Sequence, residues 1–271
     1  MKKLSKYIII VCLLFACISC NQEEVATFDS VRGVNFVLYN ANYNEYTDDY
    51  EKLKSEYNFY DDYARQGTLT LNPCTLHVGL QLEGTFSESP IRVKIKAEPV
   101  EGFDMPEITL PEEVVIEAGE YQANFAVLCQ QPKDYEKEYR VKLSIDYANS
   151  DVIAGTKERQ SYEITISDKI NWKDMYVENE EQWNADFAEY LGNYGGTKAR
   201  FVIVSLVDLY QASYSDICSI YYYTQIGGYY EWYGFYYYGY DVYYYLEEYN
   251  SNQDTPLCEP DGTPVEIPNI Y

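Results

Sequence analysis

Between residues 68 and 167, apolar and polar side chains alternate along the chain with a period of two. Such alternation is typical of half-buried antiparallel strands. A further short strand is predicted at residues 34–39. Because only two stacked sheets bury so many one-sided faces, we predict an immunoglobulin-like antiparallel β-sandwich over residues 31–170. The sets that share a face are Cys74, Leu76, Val78, Leu80 and Leu82; Ile91, Val93, Ile95 and Ala97; Ala123, Phe125, Val127 and Cys129; Tyr139, Val141, Leu143, Ile145 and Tyr147; and Tyr162, Ile164 and Ile166.

Residues 171–271 follow other patterns, which predict a smaller α+β region. A helix is expected at residues 179–192, where Asn179 can cap the first turn, Gln182 has the reciprocal capping position and Gly192 ends the helix. Residues 201–207 are apolar without alternation, which predicts a strand covered on both faces. The predicted fold class is therefore mainly β, a sandwich followed by a smaller α+β C-terminal region.

Nearly half of residues 221–249 are tyrosine. Gly227-Gly228 between aromatic runs predicts a β-hairpin, because glycine accepts the positive φ of a two-residue turn. Aromatic residues favour strands, so we expect a sheet with one packed and one solvated face, and a helical turn at residues 243–249.

The solvated face would suit a glycan or a peptide, because aromatic rings offer large rigid contact areas and tyrosine hydroxyls form hydrogen bonds. Two alternatives remain: these tyrosines replace Phe and Leu in a small core, or they cover a contact with a partner protein. The candidate ligand-binding residues are Tyr229, Tyr230, Trp232, Tyr233, Tyr236, Tyr237 and Tyr238.

The N-terminus has the pattern of an export signal. Three lysines precede an apolar run at residues 8–18 that is too short to span a bilayer comfortably, so residues 1–19 are interpreted as a signal peptide. Ser19-Cys20 resembles a bacterial lipobox, which implies that Cys20 carries the membrane-anchoring acyl chains; the alternative is an ordinary signal peptide cleaved elsewhere. The acidic residues Glu23 and Glu24 resemble the surface-export tag of Bacteroidales lipoproteins. Residues 20–30 are thus expected to be a lipid-anchored linker, at the cell surface of an outer membrane.

Longer stretches carry two further resemblances. Glu101-Gly102-Phe103-Asp104, with the alternating residues from Val114 to Gly119, resembles Calx-β-like sandwich domains. The mature chain resembles a family of uncharacterised Bacteroidales lipoproteins, a domain of unknown function typically encoded beside Sus-type outer-membrane uptake genes. That resemblance implies a location and Sus-type partners rather than a reaction. The matching stretches are Trp172 to Leu191-Gly192-Asn193-Tyr194 and Lys198, Leu246-Glu247-Glu248-Tyr249-Asn250, Pro256-Leu257, and Asp261-Gly262-Thr263-Pro264-Val265.

The charge balance is strongly acidic, with 44 Asp and Glu against 20 Lys and Arg, a net charge of −24. Loss of the three leader lysines changes this to about −27. An acidic surface repels phosphate backbones, which excludes nucleic acid as a partner. Outside the leader and Cys20, four cysteines remain, and two disulfides could join them in three ways. The inward-facing positions of Cys74 and Cys129 favour buried free thiols; Cys218 and Cys258 are the other two.

Catalytic motifs are missing from the sequence. The lone histidine, His77, is on the polar face of its strand and is interpreted as a surface residue. No zinc, nucleophile-elbow or phosphate-loop motif occurs. Asp48, Asp49, Asp61 and Asp62 could bind Ca²⁺, but without EF-hand spacing. We predict a non-catalytic surface lipoprotein without a cofactor or metal, an accessory glycan- or peptide-binding component of a Sus-like uptake system. The alternatives are a structural or adhesive subunit that docks an outer-membrane protein, and a hydrolase.

Overall fold

The computed structural model describes residues 33–47 and 53–270. The predicted signal peptide, the lipidation site Cys20 and the candidate calcium ligands Asp48 and Asp49 lie outside these ranges. Within them, no helix combines the length and the apolar character needed to cross a membrane.

Short strands make up the N-terminal part of the described chain. Several form in the predicted places because they bury alternate side chains, as the strand Ser161–Ser167 does with Tyr162, Ile164 and Ile166. The pattern did not indicate four of the described strands: Glu45–Thr47 and Lys54–Asn58, which flank the undescribed residues 48–52, and the two-residue strands Ile108–Thr109 and Ile153–Ala154. The strands are β1 (Gly33–Asn40), β2 (Glu45–Thr47), β3 (Lys54–Asn58), β4 (Cys74–Glu83), β5 (Ile91–Val93), β6 (Ile95–Pro99), β7 (Ile108–Thr109), β8 (Val114–Ile116), β9 (Gln122–Cys129), β10 (Glu138–Ile145), β11 (Ile153–Ala154) and β12 (Ser161–Ser167).

Two main sheets form the sandwich. The first has the strand order β11-β1-β4-β9-β7, with β2 paired to β1, and the second has the order β3-β12-β10-β6. Strands β5 and β8 form a separate antiparallel pair. Neighbours within the main sheets are antiparallel except at two edges, where β11 runs parallel to β1 and β3 runs parallel to β12. The inward-facing side chains of both sheets belong to one hydrophobic core. The predicted sandwich is therefore confirmed.

The C-terminal region is helical. Its longer helices are α2 (Glu180–Leu191), α3 (Gly196–Tyr210), α4 (Tyr214–Ile226) and α5 (Phe235–Ser251), and a short helix α1 (Asp62–Gln66) precedes β4. Helix α2 confirms the predicted helix: the Asn179 side chain accepts a hydrogen bond from the backbone N–H of Gln182 at 3.0 Å, and Gly192 follows its last residue. The helical turn expected at residues 243–249 is also confirmed, as part of α5.

The strand predicted at residues 201–207 is wrong, because this run lies inside α3. Residues from Thr197 to Leu206 are all buried, so the helix is covered on every side, and a short apolar run does not distinguish such a helix from a buried strand. The helix ends at Gln211, which has a left-handed backbone with φ of 55°.

The tyrosine-rich sheet and its hairpin are also wrong. Gly227 and Gly228 do have positive φ, of 56° and 61°, but they end α4 instead of joining two strands. The buried residues of α5, Phe235, Gly239, Val242 and Leu246, recur at helical spacing. Packing of that apolar stripe overrides the strand preference of the tyrosines around it.

Candidate functional site

A short helical segment between α4 and α5 presents the tyrosine-rich sequence to solvent. Gly228–Tyr233 forms a 3₁₀ turn, and both of its ends are fixed on α4. At one end the Gly227 N–H donates to the Tyr223 carbonyl at 3.2 Å; at the other the Phe235 N–H donates to the Thr224 hydroxyl at 2.7 Å. A Cβ on Gly234 would lie 2.6 Å from the Thr224 backbone nitrogen, so only glycine permits this close approach.

Five of the seven predicted ligand-binding residues are exposed on this segment and on the first turn of α5. The exposed fraction reaches 84% for Tyr229 and 58% for Trp232. Tyr236 and Tyr238 are half-buried, and Tyr238 packs against the hydrophobic core. We call the five exposed residues the aromatic face: Tyr229, Tyr230, Trp232, Tyr233 and Tyr237.

Ring contacts hold the aromatic face in place. Tyr230 stacks on Tyr223 of α4 with ring centroids 5.9 Å apart and planes 23° from parallel. Tyr233 contacts the same Tyr223 ring at 5.5 Å, and Trp232 meets Tyr236 edge to face at 4.9 Å. Pairs of this kind stabilise beyond the area they bury, so the exposed rings have a packed second layer beneath them.

A cleft of about 420 Å³ opens beside the aromatic face, between α4, α5 and the end of α3. Four tyrosines form its walls, two of them from the predicted set, and polar side chains line it as well. This mixture of aromatic surface and a few polar groups is typical of small-ligand sites. We call it the tyrosine cleft; it is lined by Tyr210, Gln211, Ala212, Asp216, Ser219, Ile220, Tyr223, Tyr233 and Tyr238.

The titratable groups of the tyrosine cleft are held by neighbouring side chains. Asp216 forms a capping box with Ser213: its carboxylate accepts from the Ser213 N–H and hydroxyl at 2.9 and 2.7 Å, and the hydroxyl bond lowers the pKa of Asp216. Burial, followed by a hydrogen bond to Asp241, raises the pKa of Tyr210. Asp216 therefore stays ionised and Tyr210 neutral near pH 7, so the cleft offers one fixed carboxylate beside the uncharged phenol of Tyr210.

A second, larger cleft of about 710 Å³ brings together residues from the stretches that carried the family resemblance, among them Gly192-Asn193-Tyr194, Lys198 and Thr263-Pro264-Val265. The Lys198 ammonium is buried in the first turn of α3 and donates to the Asn193 carbonyl at 2.7 Å. Burial lowers the pKa of Lys198. A Cβ on Gly192 would lie 2.8 Å from that ammonium, so a side chain at this position would clash with Lys198.

Backbone groups hold the ionic side chains Lys198 and Glu259 of this larger cleft. The Glu259 carboxylate accepts from the backbone N–H groups of Thr197 and Lys198 at 2.8 and 3.1 Å, and thus satisfies donors that the start of a helix leaves unpaired. These contacts attach the C-terminal segment to α3. This cleft is therefore explained by the fold, whereas the tyrosine cleft remains the better candidate for a ligand.

The other residues considered from sequence do not converge on either cleft. His77 is half-buried, and its ring centroid is 6.1 Å from that of Tyr39. Asp62 is paired with Arg65 and accepts from the Tyr57 hydroxyl at 2.7 Å. Burial raises the pKa of Asp61, and the charge of Asp174 adds to this effect. Within residues 33–47 and 53–270, no three His, Cys, Asp or Glu side chains lie together as metal ligands would.

Sequence reasoning missed Tyr210, Asp216 and Tyr223 as cleft residues. The signal was present as Ser213 followed three residues later by Asp216, a helix-start pattern. The hairpin predicted around Gly227-Gly228 makes the aromatic run before it a strand, so this prediction does not place Tyr223 on a helix with Asp216.

Comparison with known proteins yields only distant structural similarities. No protein-family profile matches the sequence, and no curated protein matches it. A putative carbohydrate binding protein from Bacteroides ovatus is 12% identical, with a TM-score of 0.36 over 51% of this chain and 37% of its own. EndoBT-3987 of Bacteroides thetaiotamicron, solved with a Man5GlcNAc product, is 12% identical with a TM-score of 0.33 over 43% and 28%. The apo-form Calx CBD1 domain is 11% identical with a TM-score of 0.28 over 35% and 81%. The matched region thus spans little more than a third of the Bacteroides ovatus protein.

Proposed function

We propose that this protein is a non-catalytic, lipid-anchored cell-surface protein that captures a glycan on the aromatic face and in the tyrosine cleft, as an accessory component of a Sus-like uptake system. The observation that carries the proposal is the exposure of five aromatic side chains on one segment of six residues and the helix turn after it. Exposed apolar patches of this kind mark binding sites. Glycan rings stack on aromatic faces, and phenol hydroxyls bind their oxygens.

The tyrosine cleft supports binding rather than hydrolysis. A glycosidase needs two carboxyl groups, one of them with a raised pKa so that it can donate a proton. Among the described residues that line the cleft, Asp216 is the one carboxylate. Its pKa is lowered by Ser213, which is the wrong direction for a general acid. Asp216 can still accept hydrogen bonds from sugar hydroxyls.

Docking of a partner outer-membrane protein is the second candidate function. Ile226 at the end of α4 and Leu209 near the end of α3 are exposed, as are Tyr176 and Tyr222, whose rings meet at 4.8 Å. These side chains extend the apolar surface beyond what a small ligand would cover. Docking would be favoured over glycan capture if a stoichiometric partner co-purifies from gently solubilised outer membrane. That partner should dissociate when Ile226→Ser and Tyr222→Ser are introduced.

A glycan and peptide array tests the proposed function. The parent protein should bind a set of glycans, and the Trp232→Ala, Tyr233→Ala double variant should lose that set. The matched control is Phe86→Ala, Tyr121→Ala, which removes an exposed pair of rings 5.8 Å apart on the sandwich. Loss of binding in both double variants, or binding to peptides alone, would contradict glycan capture by the aromatic face.

A further inference from the structure

Two cysteines face each other across neighbouring strands of the sandwich. Cys74 is the first residue of β4, Cys129 is the last residue of β9, and they are direct partners in the antiparallel ladder. At the other end of this ladder the Leu82 N–H donates to the Tyr121 carbonyl at 2.8 Å. Because hydrogen-bonded pairs alternate with non-bonded pairs, the two cysteines occupy a hydrogen-bonded position, where Cα atoms are about 5.5 Å apart. That separation lies in the range that a disulfide bridges.

Both thiols point into the core and contact each other. The exposed fraction is 7% for Cys74 and zero for Cys129. The hydrogen bond between the two thiols, together with burial, raises the pKa of Cys74. The remaining described cysteines are placed differently, since Cys218 lies in α4 and Cys258 in the segment after α5. Neither has a cysteine as a strand partner. Of the three connectivities that the sequence left open, the strand register therefore favours the one that joins Cys74 to Cys129.

We propose that Cys74 and Cys129 form a structural disulfide while the chain folds in an oxidising compartment, with the disulfide of a thiol–disulfide oxidoreductase as the oxidant. One thiolate attacks the oxidant's disulfide, and the second thiolate displaces the oxidant from the mixed disulfide. The two cysteines lose two protons and two electrons as the S–S bond forms, and the oxidant is reduced to a dithiol. That the chain folds in an oxidising compartment follows from the export proposed above, and this part of the inference rests on that proposal.

Burial determines when this reaction takes place. Because the folded sheet covers both sulfurs, an oxidant reaches them only before β4 and β9 close. Once formed, the bond is shielded from reductants for the same reason.

The bond would stabilise the end of the sandwich that meets the helical region. Gln131 lies two residues beyond Cys129; its amide nitrogen donates to the Tyr63 hydroxyl at 2.6 Å, and its amide oxygen accepts from the Leu71 N–H at 3.0 Å. A Cys74–Cys129 disulfide closes a loop of about 54 residues, which restricts the unfolded chain and fixes the strand end that positions Gln131.

Peptide mapping tests the pairing. The full chain is isolated without reductant, and a second sample is reduced, unfolded and refolded with oxidised glutathione; free thiols are then blocked in denaturant with N-ethylmaleimide. We expect a cross-linked Cys74–Cys129 peptide in both samples, with Cys218 and Cys258 not linked to each other. Unlinked Cys74 and Cys129 after oxidative refolding would overturn the inference. A link in the refolded sample that is absent from the isolated protein would support the pairing and contradict the export.

Thermal unfolding provides a second measurement. Dithiothreitol present during refolding should lower the Tm of the parent and of the Cys218→Ala control by roughly 5–10 °C. It should leave the Tm of the Cys74→Ala, Cys129→Ala double variant unchanged. An equal effect of dithiothreitol on all three proteins would contradict a Cys74–Cys129 bond.

Discussion

The Arg200 guanidinium lies 2.9 Å from the Asp168 carboxylate, Nη2 to Oδ1, and both side chains are fully buried. Asp168 follows the last strand of the sandwich, whereas Arg200 belongs to α3. The Tyr63 hydroxyl also donates to this carboxylate at 2.6 Å, and the guanidinium lies 3.8 Å from the centre of the Tyr135 ring. A paired, hydrogen-bonded charge thus joins the sandwich to the helical region that carries the aromatic face.

Removal of one partner of this pair should strongly destabilise the protein. Arg200→Met leaves the Asp168 carboxylate buried without its cation, and we expect the free energy of unfolding to fall by about 3–5 kcal/mol. Arg200→Met combined with Asp168→Leu should recover part of that loss, because an apolar pair needs no desolvation. Urea denaturation followed by circular dichroism measures both.

The matched control for the buried pair is Lys54→Met, which breaks the exposed pair with Glu56. This substitution should leave the urea midpoint unchanged, since exposed ion pairs contribute little. Equal midpoints for Arg200→Met and the parent would show that the junction does not depend on the Arg200–Asp168 pair.

Glu259→Ala should loosen the C-terminal segment. The substitution leaves two backbone N–H groups at the start of α3 without their acceptor, which should cost about 1–2 kcal/mol. Limited proteolysis should then cleave residues 254–270 faster. Glu247→Ala, an exposed carboxylate beside the same cleft, is the control; cleavage that is equally fast in both variants would count against the proposed role of Glu259.

The buried tyrosines should make the protein lose stability above pH 10. Burial, with a smaller contribution from Asp62, raises the pKa of Tyr57 to about 12; burial also raises the pKa of Tyr60 and Tyr221 well above the ordinary 10.0. In the unfolded chain these phenols lose protons near pH 10, so the folded state binds more protons above that pH. Their contribution is complete below pH 10 and is lost as pH rises through the folded pKa values.

The ultraviolet absorbance of tyrosinate, followed with circular dichroism, measures this loss. The part of the absorbance change that appears at the highest pH comes from the tyrosines with raised pKa values, and it should coincide with unfolding. Tyr60→Phe removes a buried hydroxyl that has no hydrogen-bond partner within the described structure, and should reduce the alkaline loss without reducing stability at pH 7. Complete ionisation of all tyrosines in a still folded protein would refute this explanation.

Cys20→Ala should release the protein from the membrane if Cys20 is the lipidation site. We expect the parent to incorporate radiolabelled palmitate and to sediment with the envelope, and the variant to do neither. Cys17→Ala lies within the predicted leader and should behave as the parent. Palmitate incorporation into Cys20→Ala would rule out this anchor.

The sequence predicted the sandwich better than the helical region for a physical reason. A half-buried strand such as β9 exposes every second residue between Asn124 and Cys129, so its period of two is visible. Residues 201–206 of α3 are buried on all sides, and no period remains to separate helix from strand. In α5 the helical signal rests on four small or apolar residues among tyrosines.

The candidate site was also predictable only in part. Its exposed residues followed from composition, because tyrosine is concentrated in one segment. Its concave part depends on how α3 packs against α4, and the Arg200–Asp168 pair that holds α3 joins residues 32 positions apart. No local pattern indicates such a contact.

Affinity electrophoresis in gels that contain soluble α-glucan, xylan, mannan or pectin tests the central claim most directly. At least one polysaccharide should retard the parent protein, and Trp232→Ala, Tyr233→Ala should weaken that binding about tenfold or more, since each lost ring contact costs about 1 kcal/mol. The Phe86→Ala, Tyr121→Ala control should be retarded as strongly as the parent. Retardation of Trp232→Ala, Tyr233→Ala equal to that of the parent, or no retardation of the parent in any gel, would contradict glycan capture by the aromatic face.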